Sequence, residues 1–241
     1  MRTVYSMSQT PPQRINKYLA QSGVCSRRKA DDLIAQDQVT INGERALLGD
    51  LVKPGDLVKV AGQPVFEETE KIFLLFHKPF GVICTADPKA NNNIFEYLPN
   101  DLRLIQVGRL DVESSGLMLL TNDGEAANKI MHPSSNHEKE YLVEVTATIT
   151  SDFIRKMEDG VILDGSKTKP CKLGKINDHT FSMVLTEGRN RQIRHMCEAL
   201  GYEVSKLKRE RILNLTLGKL KPGEYRELKK TEIYLLLKGL E

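Results

Sequence analysis

The 241-residue sequence predicts an α+β fold in two parts, a small helix-and-hairpin unit followed by a larger mixed unit. Apolar residues at helical spacing run from Arg14 to Gln36, and short strand-like runs follow as far as Val60. From Ile72 onwards, strand and helix patterns alternate irregularly, which favours a mixed, mostly antiparallel sheet flanked by helices. Residues 61–71, AGQPVFEETEK, are polar and contain a proline, so we interpret them as a linker.

The composition is that of an ordinary globular protein, with 40% hydrophobic and 28% charged residues. No run approaches the roughly eighteen apolar residues of a membrane helix, and residues 1–12 lack a signal-peptide core. We therefore expect a disordered tail at 1–12 and a cytoplasmic protein. The four cysteines and five histidines are scattered, without CxxC or HExxH spacing, so we expect no metal. Nothing in the sequence argues for a dimer, and a monomer is the expectation.

The first unit has clear local signals. Ser26 is a good N-cap for a second helix that runs to about Gln36. Asn42-Gly43, between two apolar runs, is a strong hairpin signal. Three cations share the first turn of the second helix: Arg27, Arg28 and Lys29. Cations there oppose the helix dipole by about 0.3–1 kcal/mol each, which indicates that this end of the helix meets an anion.

Positive charge is concentrated in two stretches, although the net charge of the chain is only +3. Residues 1–30 contain no acidic residue and these basic ones: Arg2, Arg14, Lys17, Arg27, Arg28 and Lys29. Residues 185–211 form a second basic stretch, in which lysine and arginine outnumber glutamate. Two such regions far apart in sequence suit a long polyanion, while two solvated faces remain the simpler alternative.

The stretch VGRLDVESSGLMLLTNDGE, residues 107–125, carries more polar side chains than a turn between strands needs. Asp111 lies between apolar neighbours, and a partly buried carboxylate needs hydrogen bonds or a cation to stay ionised. Arg191 and Arg194 lie at helical spacing farther along, and Tyr141 lies on the strand-like run KEYLVEV. Spacing alone does not bring these residues together, and a turn aspartate, a solvated helix face and a packed tyrosine remain open as alternatives.

Four motifs, in this order, resemble those of the pseudouridine synthases: KPFG (78–81), VGRLDVESSGLMLLTNDG (107–124), HEKEYLVEV (137–145) and EGRNRQIRHMCEALGYEV (187–204). The first unit resembles an S4 RNA-binding domain in RINKYLAQSGVCSRRKADDLI, VTINGERA and VKPGDLVKV. Together they are similar to the branch of the family that joins an S4 domain to a catalytic domain and modifies ribosomal RNA. The implied domains are S4 at 13–60 and catalytic at 72–241.

The resemblance implies roles for particular residues. The GRLD aspartate, Asp111, is the catalytic residue, Tyr141 stacks on a flipped-out uracil, and Arg194 pairs with Asp111. Whether Asp111 attacks the ribose C1′, attacks the uracil C6 or takes a ribose proton stays open. Supporting RNA contacts are implied for Lys78, Arg109 and Arg191, and on the S4 face for Arg14, Lys17, Arg27, Arg28 and Lys29. The implied reaction is the isomerisation of uridine to pseudouridine, and it needs no cofactor.

The resemblance implies that the partner is an rRNA stem-loop, and that it belongs to the 23S RNA of the large subunit. Two alternatives stay open, namely the same chemistry on tRNA or 16S rRNA, and a non-catalytic S4-type assembly factor. One position departs from the family pattern, because His195 stands where many members carry another arginine. Histidine, unlike arginine, is not a permanent cation, which puts a phosphate contact at this position in doubt.

Overall fold

The computed structural model describes residues 11–66, 70–85, 87, 90–100 and 102–240. It divides between Lys71 and Ile72 into two compact units. Most of the predicted disordered tail, residues 1–10, lies outside the described residues. Among the residues that are described, no helix is long and apolar enough to cross a membrane.

The first unit packs two helices against a small sheet. Its elements are β1 (Gln13–Arg14), α1 (Ile15–Gln21), α2 (Arg27–Ala35), β2 (Val39–Ile41), β3 (Glu44–Arg45), β4 (Leu51–Val52), β5 (Val58–Val60) and β6 (Gln63–Val65). The predicted N-cap is confirmed, since Ser26 Oγ accepts a hydrogen bond from the Lys29 N–H at 3.1 Å. The predicted hairpin is also confirmed, with Asn42 and Gly43 at positive φ between β2 and β3.

The core of this unit lies between the helices and the sheet. Ile15 and Leu19 of α1, Ala30 of α2, Val39 of β2 and Val58 of β5 are all fully buried. Full burial of a large aliphatic side chain contributes about 1.5–3 kcal/mol. The apolar stripe of each helix therefore fixes which face of α1 and α2 stays in solvent.

The predicted linker at 61–71 is wrong in its first half. Residues Gln63–Val65 form β6, which pairs antiparallel with β5. Ala61 and Gly62 both have positive φ, 47° and 79°, as a two-residue hairpin turn requires. The strand was missed because it is short, contains Pro64 and lies at a sheet edge, where Gln63 and Pro64 are exposed.

The second unit is built on one large sheet. Its elements are β7 (Phe73–Lys78), a 3₁₀ turn (Ile94–Tyr97), β8 (Ile105–Val107), β9 (Ser115–Thr121), α3 (Gly124–Met131), a second 3₁₀ turn (Pro133–Ser135), β10 (Lys139–Val145), α4 (Ser151–Asp159), β11 (Ile162–Leu163), β12 (Ser166–Lys167), β13 (Lys172–Lys175), β14 (Thr180–Leu185), α5 (Gln192–Ala199), β15 (Val204–Ile212), β16 (Leu215–Thr216), β17 (Tyr225–Glu227) and α6 (Lys230–Lys238).

The strand order of the large sheet is β13-β14-β10-β15-β9-β7-β17, with β16 beside β15 and β8 beside β9. Of these pairs, β9 with β15 is parallel and the others are antiparallel, which agrees with the predicted mixed sheet. The parallel pair joins Arg209 to Gly116. Gly116 has φ +111°, and a Cβ on it would lie 2.3 Å from the Arg209 carbonyl oxygen. Only glycine allows the two strands to come this close.

The apolar patterns of the sequence predict a helix from Arg189 to Leu200 and a strand from Ile212 to Leu217, and both differ from the structure. A strand over 212–217 is wrong, because β15 ends at Ile212 and a turn with Leu213 at φ 52° separates it from β16. A helix from Arg189 is also wrong, because α5 begins at Gln192. Arg191, the residue before it, is left-handed, with φ 47°, so the helical hydrogen bonds cannot extend back through it.

Candidate active site

A cleft of about 1130 Å³ opens in the second unit, lined by the loop between β8 and β9, the start of β10, the loop before α5 and β15. The volume suits a nucleotide-sized ligand. Four of the predicted site residues line it: Arg109, Asp111, Tyr141 and Arg191. They come from three separate stretches of sequence, which the sheet topology brings to one place.

Asp111 lies in the loop that leads into β9, and its side chain is half-buried. Its carbonyl oxygen accepts a hydrogen bond from the Ser114 N–H at 3.0 Å, which closes the loop into a turn. Among the described residues, no cation lies within salt-bridge distance of the Asp111 carboxylate. The carboxylate is therefore positioned by its loop and open to the cleft.

The loop of Asp111 is tied to α5 through Glu113. Arg191 Nη2 donates to Glu113 Oε2 at 2.8 Å, and Arg194 Nη2 donates to the Glu113 carbonyl oxygen at 2.7 Å. The hydrogen bond from Arg191, and the charges of Arg191 and Arg194, lower the pKa of Glu113. Arg194 Nη1 also donates to the Val204 carbonyl oxygen at 3.0 Å, so this arginine joins the loop, α5 and β15.

The predicted pair of Arg194 with Asp111 is not present in the structure. In the part of the chain that is described, the guanidinium of Arg194 reaches Glu113, two residues beyond Asp111. Its side chain is 12% exposed, and it does not line the cleft. Arg194 therefore positions the aspartate's loop and makes no direct contact with the carboxylate.

Lys78 needs a similar correction. Its side chain is fully buried, and its Nζ donates to the carbonyl oxygens of Pro79 at 2.9 Å and Val82 at 2.7 Å. A third bond, to the Val112 carbonyl at 3.4 Å, crosses to the loop of Asp111. A fully buried ammonium cannot contact RNA directly, so the predicted RNA contact by Lys78 is wrong. Burial lowers the pKa of Lys78, and the charges of Cys84 and Asp111 oppose that shift.

Tyr141 lies on β10, as predicted, and faces the cleft between two apolar clusters of the unit. Its neighbours across the sheet are Met183 on β14 and Arg209 on β15. A half-buried aromatic ring held by strands on both sides is a rigid platform on which a base can stack.

Sequence reasoning missed Glu113 and Arg209 as site residues. Arg209 is 2% exposed and lines the cleft from β15. Two-residue spacing puts Leu207 and Arg209 on one face of β15, but the mostly charged sequence of this stretch did not predict a strand. No comparable signal marked Glu113.

Among the described residues, there is no group of three or more His, Cys, Asp or Glu side chains that could hold a metal ion.

The predicted S4 residues lie on α1 and α2 or next to them. Arg14, Arg27, Arg28 and Lys29 are exposed, and Lys17 is half-buried. Arg27 Nη2 donates to Asn16 Oδ1 at 3.4 Å, a long bond that leaves the guanidinium accessible. The first turn of α2 therefore presents its cations to solvent.

Residues 72–199 match the family model of the RNA pseudouridylate synthases, and residues 13–58 match that of the S4 domain. The chain belongs to the RNA pseudouridylate synthases and is an enzyme with an S4 domain in front of its catalytic domain. RNA is therefore a partner of this protein. The predicted fold and class of enzyme are confirmed, and the non-catalytic assembly factor is excluded.

Relatives extend the match over nearly the whole chain. The dual-specificity RNA pseudouridine synthase RluF of Escherichia coli K12 is 46% identical over 95% of this chain and 79% of its own. The ribosomal large subunit pseudouridine synthase B of Bacillus subtilis is 41% identical over 92% of this chain and 94% of its own. A crystal structure of a pseudouridylate synthase is similar with a TM-score of 0.70 and 31% identity, over 92% of this chain and 99% of that one.

Proposed function

We propose that this enzyme converts uridine to pseudouridine in the large-subunit ribosomal RNA, 23S, with Asp111 as its catalytic residue. The observation that carries the proposal is the position of Asp111, which lines the same cleft as Tyr141. The name of the Bacillus subtilis relative, which is a large-subunit enzyme, supports the choice of RNA.

The reaction moves one base without oxidation or loss of atoms. The N1–C1′ bond breaks with its electron pair on the uracil, C5 bonds to C1′, the C5 proton leaves and N1 gains a proton. The uridine must leave its helix to enter the cleft. Tyr141 stacks on the extruded uracil, a contact worth about 1–3 kcal/mol per base. Asp111 acts as an ionised carboxylate in each of its three possible first steps, as nucleophile on C1′ or C6 or as base.

The other cleft residues hold this arrangement in place. Arg191 and Arg194 fix the loop of Asp111 through Glu113, and Lys78 fixes it through Val112. Arg109 is exposed at the cleft and is suited to a phosphate of the RNA. Tyr141, Asp111 and Arg191 all come from one chain, so a monomer suffices, and we place the enzyme in the cytoplasm with its RNA.

Transfer RNA is a second candidate substrate. The RluF proteins that share 45–46% identity with this chain are named dual-specificity RNA pseudouridine synthases. A second RNA substrate for this enzyme is consistent with an open cleft, where exposed cations meet the phosphate backbone and read no sequence. The same assay decides between one substrate and two.

The test is tritium release from 23S, 16S and transfer RNA transcripts labelled with 5-³H-uridine, each given separately. We expect release from 23S RNA by the wild type and none by Asp111→Asn. The control is Asp159→Asn, which removes an exposed carboxylate at the end of α4 and leaves release unchanged. Release from 16S or transfer RNA alone would contradict the choice of RNA. Full release by Asp111→Asn would contradict the role of Asp111.

A further inference from the structure

Three polar atoms of the cleft are buried and have no hydrogen-bond partner in the described part of the chain. They are Arg209 Nη2, Ser114 Oγ and Gln106 Oε1, and all three residues line the cleft. An unpartnered buried polar atom costs about 1–3 kcal/mol, and a charged group costs more. Three such atoms around one cleft indicate that a bound polar ligand completes their hydrogen bonds.

Arg209 is the strongest of the three. Its Nε donates to the Leu117 carbonyl oxygen at 2.7 Å, which fixes the plane of the guanidinium against β9. Its backbone is fixed as well, because it packs on Gly116 with no room for a Cβ. Among the described residues, no carboxylate lies within 4 Å of its guanidinium, so the charge is buried without a counter-ion.

The surroundings of Arg209 are basic. Lys139 also lines the cleft, and its Nζ donates to the His137 carbonyl oxygen at 3.2 Å. Burial, and next the charge of Arg209, lower the pKa of Lys139. A buried cation with a fixed, unused donor is the arrangement that stabilises an oxygen on which negative charge develops.

We infer that Arg209 is a substrate-contacting residue whose Nη2–H donates to a ring oxygen of the flipped uracil, and so stabilises the uracil after the N1–C1′ bond breaks. The inference rests on the proposed function. When that bond breaks, its electron pair stays on the ring and is shared with the carbonyl oxygens, before C5 uses it to bond C1′. Arg209 is the neighbour of Tyr141 across the sheet, so a uracil stacked on Tyr141 lies beside it.

A phosphate is a less suitable occupant of this position. Arg209 is 2% exposed, whereas a phosphate prefers donors from several accessible residues and keeps part of its water. Exposed Arg109 and half-exposed Arg191 are better placed for phosphates. The two occupants differ in their effects, because a phosphate contact contributes to the salt dependence of RNA binding and a ring-oxygen contact does not.

The experiment compares Arg209→Met, Arg209→Lys and the wild type, using single-turnover tritium release from labelled 23S RNA, RNA binding at several salt concentrations, and thermal unfolding. The control is Lys206→Met, which removes a charge from the exposed side of the same strand. We expect Arg209→Met to lower the rate about 10²–10³-fold, as loss of one oxyanion donor does. Kd and its salt slope should stay within about twofold of the wild type. Arg209→Lys should also react more slowly, because the lysine side chain is too short to bring its ammonium to the Nη2 position.

Three outcomes would overturn the inference. One is a rate within threefold of the wild type in a folded Arg209→Met. The second is a weaker Kd with a flatter salt slope, which would identify a phosphate contact. The third outcome applies if Arg209→Met does not fold, and it is a rate in Arg209→Lys equal to that of the wild type. Tritium release by the wild type and by Lys206→Met shows that the proposed function holds in each case. No release by the wild type from any RNA overturns that function and this inference together.

Discussion

Glu113 holds the loop of the proposed catalytic residue, Asp111, without contacting the carboxylate itself. It lies two residues after Asp111, and its side chain and carbonyl group take hydrogen bonds from two arginines near the start of α5. The position of this loop therefore depends on Arg191 and Arg194. In this arrangement Arg194 bonds the backbone of the loop, and the carboxylate of Asp111 stays free for the role we propose.

Arg194→Ala tests that assignment. The substitution removes the hydrogen bonds to the carbonyl oxygens of Glu113 and Val204, so the loop of Asp111 loses its tie to α5 and β15. We expect kcat to fall at least about 10²-fold, since misplacing a catalytic group by about 1 Å has that effect. RNA binding, measured by filter retention, should stay within about threefold because Arg194 does not line the cleft.

The matched control is Arg155→Ala, which removes an arginine from an exposed salt bridge on α4 and should leave kcat unchanged. Equal loss of binding and of kcat in Arg194→Ala would show that the arginine contacts RNA instead of positioning the loop. Unchanged kcat would show that the loop holds Asp111 without it.

At the scale of elements, the contact of β9 with β15 is the point where the catalytic loop meets the centre of the sheet. Gly116→Ala should destabilise this unit by about 2–4 kcal/mol, through a strained positive φ and a clash with the Arg209 carbonyl. Thermal or urea unfolding measures the loss. Gly124→Ala is the control, since its Cβ would meet only an Ile105 methyl group at 3.6 Å. A Gly116→Ala protein as stable as the wild type would rule out this close approach of the strands.

Elements that depend on local residues could be predicted from the sequence, whereas elements that depend on distant contacts could not. The Ser26 cap and the Asn42-Gly43 turn act within a few residues, so α2 and the β2–β3 hairpin could be predicted from sequence. The strand β15 was missed because its central residues, KLKRER, are mostly charged and its place in the middle of the sheet depends on β9 and β10. The predicted contact of Arg194 with Asp111 was wrong for the same reason. No pattern in the sequence distinguishes Asp111 from Glu113 as the partner of Arg194.

The last helix, α6, depends on a carboxylate in its first turn. Glu232 accepts two hydrogen bonds from Arg226 at 2.8 and 2.9 Å and a third from the Lys229 N–H at 2.8 Å. The hydrogen bonds from Arg226 are the main cause that lowers the pKa of Glu232 to about 2, from an ordinary 4.5. Leu236 of the same helix is fully buried, so the carboxylate holds part of the core in place.

A lowered pKa in the folded state stabilises the protein above the unfolded pKa, and the effect is lost as pH falls through the folded value. Glu232 should thus contribute above about pH 4.5, and the contribution should disappear between about 4.5 and 2. We expect Glu232→Gln to lower the unfolding free energy at pH 7 by about 1–2 kcal/mol, discounted for a side chain that is 27% exposed. Urea unfolding at pH 7 and 3 measures it, because more than half of the contribution is lost by pH 3, with exposed Glu227→Gln as control. The same deficit at both pH values would contradict the assignment.

At the scale of the whole molecule, the chain joins two units that each present basic side chains. The S4 unit shows exposed cations on α2, and the catalytic unit shows exposed Arg109 at its cleft. Cations in the first turn of α2 oppose the helix dipole, so they weaken the free protein slightly and gain a partner when phosphate binds there. We therefore expect binding through the S4 unit and chemistry in the cleft to be separable by mutation.

Replacing Arg27, Arg28 and Lys29 together by alanine should weaken RNA binding and leave the single-turnover rate at saturating RNA unchanged. Each phosphate contact contributes about 0.7–0.9 to the slope of log K against log salt, so the slope should flatten by about 2 to 3. The control replaces three exposed lysines of the catalytic unit: Lys219, Lys230 and Lys238. It removes the same charge, so a general electrostatic effect would flatten both slopes equally. An unchanged slope in the S4 variant would mean that another surface of the molecule docks the RNA.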